Sequence, residues 1–344
     1  MVIKTKITEM LGIKHPIIGA PMGPFYTTEM CLAISEAGGL GMISHTNLFG
    51  KSSLDDMKAN MEYIVEHTDK PFGLNIRTAR MQVDAKSLCR QIPKFIMSNP
   101  KIREQCVYAI TSAGSPRMLP ETRTYIKLKE SSNIKHFHVG PALWLVDKCV
   151  ASGVDGLVCT GSEGGGHQSY ENISTLVLLQ QVKKKHPDIP LVACGGFATG
   201  ESLAAALALG ADAIAMGSRF IASEESEFHP KYKGIVPPAK ASDTILVTGF
   251  LGPIRLWRNK YSLDHGLVAD KEAKMAEETG FTLENLMEDQ KHYEQIYDGK
   301  IEDGAVLLGQ SIGIIDSIKS CKDIIENIVA DAEKRLKSAA AMVQ

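Results

Sequence analysis

Eight short apolar runs punctuate the chain: His15–Met22, Leu40–Ser44, Pro71–Ile76, Cys106–Gly114, Lys135–Gly140, Gly156–Gly161, Leu191–Gly196 and Ala213–Ser218. Several are continuous rather than alternating, as strands covered on both faces are. Between them lie stretches whose apolar residues recur at helical spacing: Thr28–Ala37, Leu54–Glu66, Pro141–Ala151, Thr175–Lys185 and Ser202–Leu209. Pro141 suits the first turn of its helix, and Gly38, Gly153 and Gly210 suit the stops after theirs. Strands alternating with helices imply parallel pairing through crossovers, and eight such units predict a (β/α)8 barrel of the TIM type.

Two stretches depart from the minimal pattern. Arg117–Asn133 is polar, carries charges of both signs and extends the connection between the fourth and fifth strands. Phe220–Gly304 is rich in charge, contains Pro237-Pro238 and has helix-like runs at Asp270–Glu278 and Leu283–Tyr297. A helical insertion of this size after the last strand either lies over the C-terminal mouth as a lid or forms an oligomer contact. From Ile312 to Leu336 the pattern predicts an amphipathic helix on the outside of the barrel, with Ile314, Ile318, Ile325 and Ile328 as its apolar stripe. The expected organisation is therefore a barrel over 1–219, an inserted segment over 220–304 and C-terminal helices over 305–344.

Composition narrows the class. The 344 residues are 44% hydrophobic with a formal net charge of -2, which supplies a large core and gives no sign of a nucleic-acid or membrane surface. No apolar run is long enough to span a bilayer, and Met1–Lys14 has no signal-peptide pattern. Seven cysteines without a C-x-x-C pair point to reduced thiols in a cytoplasmic protein.

Candidate chemistry concentrates in Gly161-Ser162-Glu163-Gly164-Gly165-Gly166-His167. Adjacent glycines imply that something approaches the main chain more closely than a Cβ permits, and His167 stands where it would touch it. The competing reading makes His167 a histidine capping the helix that begins near Ser174. Further on, Cys194-Gly195-Gly196 and Met216-Gly217-Ser218 each end a buried strand in small residues with available N–H groups. Two such turns on the last two strands of a barrel form its usual phosphate site, although each alone would pass for an ordinary strand-to-helix turn. Weaker candidates are His136 and His138 as a metal pair without a third ligand, Arg255 and Arg258 as anion binders or docking residues, Tyr170 as a proton donor, and Gln310 near a cofactor or capping a helix.

Together the motifs resemble the nitronate monooxygenase family, formerly the 2-nitropropane dioxygenases, which includes flavin-dependent enoyl-thioester reductases. The resemblance rests on His15-Pro16-Ile17-Ile18-Gly19-Ala20-Pro21-Met22, Gly38-Gly39-Leu40-Gly41, Phe72-Gly73-Leu74-Asn75, the His167 loop, both phosphate turns, Gly252-Pro253-Ile254-Arg255 and Gly309-Gln310-Ser311. It implies FMN bound without a covalent link at the C-terminal ends of the strands. Met22 and Gly165 would lie beside the flavin, Asn75 would hydrogen-bond it, and Gly196, Met216, Gly217 and Ser218 would hold its phosphate. Thr160 stands where relatives often carry a longer polar residue such as Gln, and His167 matches the histidine that acts on substrate. The implied reaction is oxidation of alkyl nitronates by O2 to carbonyl compounds and nitrite. The alternatives are an enoyl-thioester reductase taking electrons from NAD(P)H, and a barrel that binds flavin or shapes an assembly without catalysis. The expected partner is a small-molecule substrate, with a homo-oligomer allowed and no metal, nucleic acid or membrane involved.

Overall fold

The computed structural model describes residues 3–249, 252–266, 272–273, 276, 280 and 282–343. Eight parallel strands form the barrel: β1 (Ile17–Gly19), β2 (Gly41–Ile43), β3 (Phe72–Arg77), β4 (Cys106–Ser112), β5 (Lys135–Gly140), β6 (Gly156–Thr160), β8 (Leu191–Cys194) and β9 (Ala213–Met216). They run in the order β1-β9-β8-β6-β5-β4-β3-β2, and a parallel bridge from Ile18 to Leu40 joins the ends. The predicted (β/α)8 barrel is the observed fold.

Each strand sends alternate side chains to opposite faces. On β3, Leu74 and Ile76 pack outward against helix residues such as Leu88 and Ile92, while Gly73 faces the interior between Met42 and Tyr108. Ile18, Leu40, Tyr108, Phe137, Val158 and Val192 fill the interior. Toward the C-terminal end the inward residues shrink to Ala20, Thr160, Cys194 and Ala215, all of which line one large cavity. That taper in side-chain volume opens the site.

The three glycine stops hold, with φ of +87° at Gly38, +69° at Gly153 and +87° at Gly210. Pro141 sits just outside its helix, which starts at Leu143 after the N-cap Ala142. Helices without a counterpart in the sequence pattern include Ala85–Ser98 and Pro100–Gln105. The first buries Leu88, Cys89, Ile92 and Ile96 along one face but carries Pro93 within it, a residue that ordinarily signals a break. The polar stretch before β5 contains the helix Arg123–Ser131, capped by Thr122 Oγ1 accepting from the Tyr125 N–H.

The expectation for the C-terminus needs correction. Residues Gln310–Ile314 form a single 3-10 turn, and the helix runs from Cys321 to Ala340, where Ser320 Oγ caps the Asp323 N–H at 3.0 Å. Ile314 and Ile318 lie before this start and are 52% and 39% exposed, whereas Ile325 and Ile328 are buried. The periodicity had been extended through a non-helical lead-in that has the same spacing by chance.

Within 220–304, the helix Leu283–Gln295 is present, while the run Asp270–Glu278 lies mostly outside the described residues. An unforeseen hairpin, β10 (Thr244–Gly249) and β11 (Gly252–Trp257), pairs in antiparallel fashion with β7 (Gly166–His167) in the glycine loop. The inserted residues Phe228, Tyr232, Val247 and Ile296 share a core with Phe25 and Leu48 from the connections after β1 and β2.

Candidate active site

The cavity at the C-terminal ends of the strands has a volume of about 1010 Å3, at the upper end of the ~300–1,000 Å3 usual for ligand pockets. Three groups of residues face it: the turns after β8 and β9, the ends of β3 and β4, and the glycine loop.

After β8, Gly195 and Gly196 take φ of +87° and +91°, a region costly for any side chain-bearing residue. Gly217 has an ordinary φ, and a Cβ built there would find only Ala20 Cβ at 3.8 Å and Met22 Sδ at 3.9 Å. The space beside Gly217 is therefore open within the protein, ready for a ligand. Ser218 Oγ accepts from the Gly309 N–H at 2.9 Å, which leaves its own proton to give. All four residues line the cavity. Met216 does not: its side chain is buried in the outer core with Ile214 and Phe220, so only its backbone approaches the turn.

At the end of β3, Asn75 is 1% exposed and its Nδ2 donates to Ile110 O and Ser112 Oγ, both at 3.2 Å. With the NH2 group committed to the barrel, Oδ1 is the atom offered to a ligand. The Met22 N–H is likewise engaged, with Ser44 Oγ at 3.2 Å. Thr160 lines the floor and its hydroxyl hydrogen-bonds the Cys194 thiol.

The glycine loop owes its composition to the protein's own chain. A Cβ on Gly164 would stand 2.8 Å from Thr160 Oγ1, and one on Gly165 would stand 2.7 Å from Gly309 N and Leu308 C. Close approach was the right inference from the triplet, and the approaching backbone is that of Leu308-Gly309. Glu163 caps the following helix by accepting from the Thr175 N–H and hydroxyl, each at 2.9 Å. Arg255 rivets the loop from the hairpin: Nε donates to Ser162 O at 2.7 Å and Nη1 to Thr244 Oγ1 at 3.1 Å. Of its two sequence readings, docking is the one the contacts support. Arg258 is exposed.

His167 pairs with Ile254 across this small sheet and turns its ring to the cavity. Its side chain is largely open, and its ring lines the cavity. Desolvation, with a smaller contribution from the positive charge of Arg77, pushes its pKa down to about 4. The imidazole is neutral near pH 7, suited to accept a proton or to donate one N–H. It does not cap the helix after Ser174, which is capped by Ser174 itself.

The other candidates separate from the site. His136 Nε2 and His138 Nδ1 flank the Thr111 hydroxyl at 2.8 and 2.7 Å, and burial pushes both pKa values down to about 3. They are a buried hydrogen-bonded pair on the helix-facing side of β5, where His136 meets the Tyr125 ring, and no group of three metal-ligating side chains forms among the described residues. Gln310 lines a separate, smaller cavity beside Glu163. Tyr170 lines the main one, as do residues not foreseen from sequence: Arg77, Arg80, Trp144 and Lys148. Lys148 Nζ lies 4.8 Å from the Trp144 ring centre, so the outer end of the cavity is aromatic and cationic. For Arg77 a signal existed, since it follows Asn75 by two positions on one strand and must share its face.

Comparison with known proteins agrees with this geometry. Residues 4–331 match the family model described as nitronate monooxygenase. The chain is 29% identical to the (3aS,4S,5R,7aS)-5-hydroxy-7a-methyl-1-oxo-octahydro-1H-indene-4-carboxyl-CoA dehydrogenase of Mycobacterium tuberculosis, over 100% of both chains. It is 26% identical to a probable nitronate monooxygenase of Staphylococcus saprophyticus, over 97% of this chain and 99% of the relative. Among solved structures, FabK from Thermotoga maritima is similar with a TM-score of 0.79 and 31% identity, covering 99% of this chain and 100% of that one. A nitroalkane oxidase from Streptomyces ansochromogenes, at 20% identity and a TM-score of 0.73 over 97% and 99% of the two chains, shares the fold.

Proposed function

Starting from the fact that this chain belongs to the nitronate monooxygenase family of oxidoreductases, we propose that it is an FMN-dependent enzyme that oxidises alkyl nitronates with O2 to carbonyl compounds and nitrite. The observation that carries the reading is the juxtaposition, in one cavity, of a neutral imidazole at His167 with the open backbone cradle of Gly196, Gly217 and Ser218. The residues present suit FMN: the turns after β8 and β9 would take its phosphate, and Asn75 Oδ1 would accept from the ring system. When bound, FMN supplies electron transfer and the reaction with O2.

The chain's own residues prepare that chemistry. Neutral His167 accepts the α-proton of a nitroalkane or donates its N–H to a substrate oxygen. Its strand pairing with Ile254 fixes the ring, and the Arg255 anchor holds the loop that carries it. The insertion packs on the connections after β1 and β2, beside the strand ends. All seven cysteines are free thiols, in keeping with a reducing cytoplasm. No helix among the described residues is long and apolar enough to cross a membrane.

One observation favours a second reading. The cavity runs outward past Trp144, Arg80 and Lys148, more room than a small nitronate needs. A flavin enoyl-thioester reductase using NAD(P)H would fill it, and a full-length relative is named as acting on a CoA compound. Mixing the FMN-loaded protein anaerobically with an alkyl nitronate, NADH or NADPH separates the two. Bleaching by the nitronate, with nitrite released on admitting air, supports the first reading. Fast bleaching by a nicotinamide, reoxidation by an enoyl thioester and no nitrite would replace it with the second. A protein that takes up no FMN would be a non-catalytic barrel.

A further inference from the structure

The cavity holds a charged group that the reading above leaves unused. Arg77 ends β3, and its side chain leaves the strand on the face of Asn75 to line the cavity. Nη2 donates to Asn47 Oδ1 at 2.8 Å. Nε is sealed from solvent and has no hydrogen-bond partner, lying 3.2 Å from where a Cβ on Gly23 would stand. Asp84, the carboxylate whose field reaches Arg77, is held elsewhere: Oδ2 is 3.2 Å from His45 Nε2 and Oδ1 accepts from Gln82 Nε2 at 2.7 Å. Burial pushes the guanidinium down to about 10, so it remains charged at neutral pH. A half-buried cation that faces a cavity with no carboxylate bonded to it has its charge uncompensated unless an anion completes it.

We propose that Arg77 forms an anion subsite of the substrate pocket, its guanidinium receiving the planar oxyanion of the substrate opposite His167. Arg77 and His167 both line this cavity, so both groups face the same space. The division of roles follows from their charge states: the cation fixes the anion, and the neutral imidazole handles the proton. A nitronate, with negative charge shared by two oxygens, matches the guanidinium edge as a carboxylate does.

The insertion sets the position of this cation. Asn47, which holds Nη2, donates from Nδ2 to Gln290 Oε1 at 3.5 Å, and its carbonyl accepts from Gln290 Nε2. Gln290 belongs to the inserted helix Leu283–Gln295. Asn47 is thus a positioning residue that reads the docking of the insertion into the pocket.

The inference rests on the proposed function only in placing the substrate in this cavity, so its test avoids turnover. Propionate, isosteric with a small nitronate, is titrated into the FMN-loaded protein and followed by calorimetry and by the flavin spectrum, with propionamide as the neutral control. The wild type should bind propionate. Arg77→Gln should bind it roughly 10- to 100-fold more weakly, the size of losing a charge-assisted hydrogen bond, with unchanged FMN content and propionamide affinity. Arg77→Lys should fall between. No propionate binding by the wild type, equal affinity in Arg77→Gln, or loss of FMN from that variant would overturn the proposal. Should Arg77→Gln fail to fold, Asn47→Ala keeps the charge but frees it. Several-fold weaker propionate binding at full FMN loading supports the proposal, and unchanged affinity overturns it. Absence of nitrite from nitronates would instead sink the reaction assigned above and leave this binding result standing.

Discussion

The two sides of the cavity are built from different material. On the β8 and β9 side the turns offer mainly backbone, at Gly195, Gly196 and Gly217, with the hydroxyl of Ser218. On the β3 side and under the glycine loop they are side chains, Asn75, Arg77 and His167, and each is held by a partner distant in sequence. Asn75 is fixed by Ile110 and Ser112, Arg77 by Asn47, and His167 by strand pairing with Ile254. A backbone cradle depends on two local turns and tolerates change around it. A side-chain constellation depends on the whole assembly, inserted segment included, and fails when any support is lost.

If this division is right, cofactor retention and turnover should separate cleanly by side. The largest effect is expected for His167→Ala. Losing a positioned general acid or base costs about 10²–10⁴-fold, so nitronate turnover should drop by that range while the FMN:protein ratio from the visible spectrum stays at the wild-type value. Loss of flavin along with activity would show the two sides are not independent. The complementary variant is Gly217→Val. A Cβ fits there in the protein alone, so the fold should survive by circular dichroism, but the added branches would occupy the cradle and weaken FMN binding by about 100-fold or more. A folded, fully loaded Gly217→Val would move the phosphate elsewhere.

The same division explains what the sequence made legible. The barrel strands, the glycine stops and both phosphate turns were readable because each is written in a few consecutive residues: an apolar run, then Cys194-Gly195-Gly196 or Met216-Gly217-Ser218. The glycine triplet announced close packing, yet its neighbour, Leu308-Gly309, lies more than a hundred residues away and leaves no local trace. The β10–β11 hairpin and its pairing with His167 were likewise invisible, because a two-residue strand has no period to detect. Arg77 stands two positions after Asn75 on β3 and so shares its face, a parity that motif reading alone does not pick out. That no carboxylate among the described residues is bonded to Arg77, the property that gives it meaning, exists only in three dimensions. The helix Ala85–Ser98 was masked by Pro93, and the C-terminal stripe was begun too early because Ile314 and Ile318 share the spacing of residues that are helical.

A middle-sized effect tests whether the insertion truly belongs to the side-chain half. Arg255→Met removes the donations to Ser162 O and Thr244 Oγ1 while keeping an unbranched side chain of comparable length. Hydrogen bonds from charged groups contribute about 1.5–3 kcal/mol each, so losing both should lower stability in urea unfolding by about 3 kcal/mol or more. The loosened loop should lower turnover about tenfold with FMN retained. Turnover unchanged in a destabilised protein would confine Arg255 to stability and detach the hairpin from the site.

The smallest expected effect separates two kinds of neutral histidine. His136 and His138, around the Thr111 hydroxyl, have folded-state pKa values pushed down to about 3 by burial, against about 6.5 in the unfolded chain. Below pH ~6.5 the unfolded chain therefore binds protons that the native state refuses, and stability declines as pH falls from there toward 3. Each buried histidine adds up to about 1.4 kcal/mol per pH unit to that slope. His138→Gln should cost ~1 kcal/mol at pH 7 through the disturbed Thr111 bond, yet show a shallower loss of stability between pH 6.5 and 4.5 when urea midpoints are compared. Since His138 lies on the helix-facing side of β5 and does not line the cavity, nitronate turnover at pH 7 should stay close to wild type. His167→Ala should do the reverse at neutral pH, with turnover collapsing and little change in midpoint. Should His138→Gln instead impair turnover as strongly as His167→Ala, the line between supporting and reacting histidines would be drawn in the wrong place.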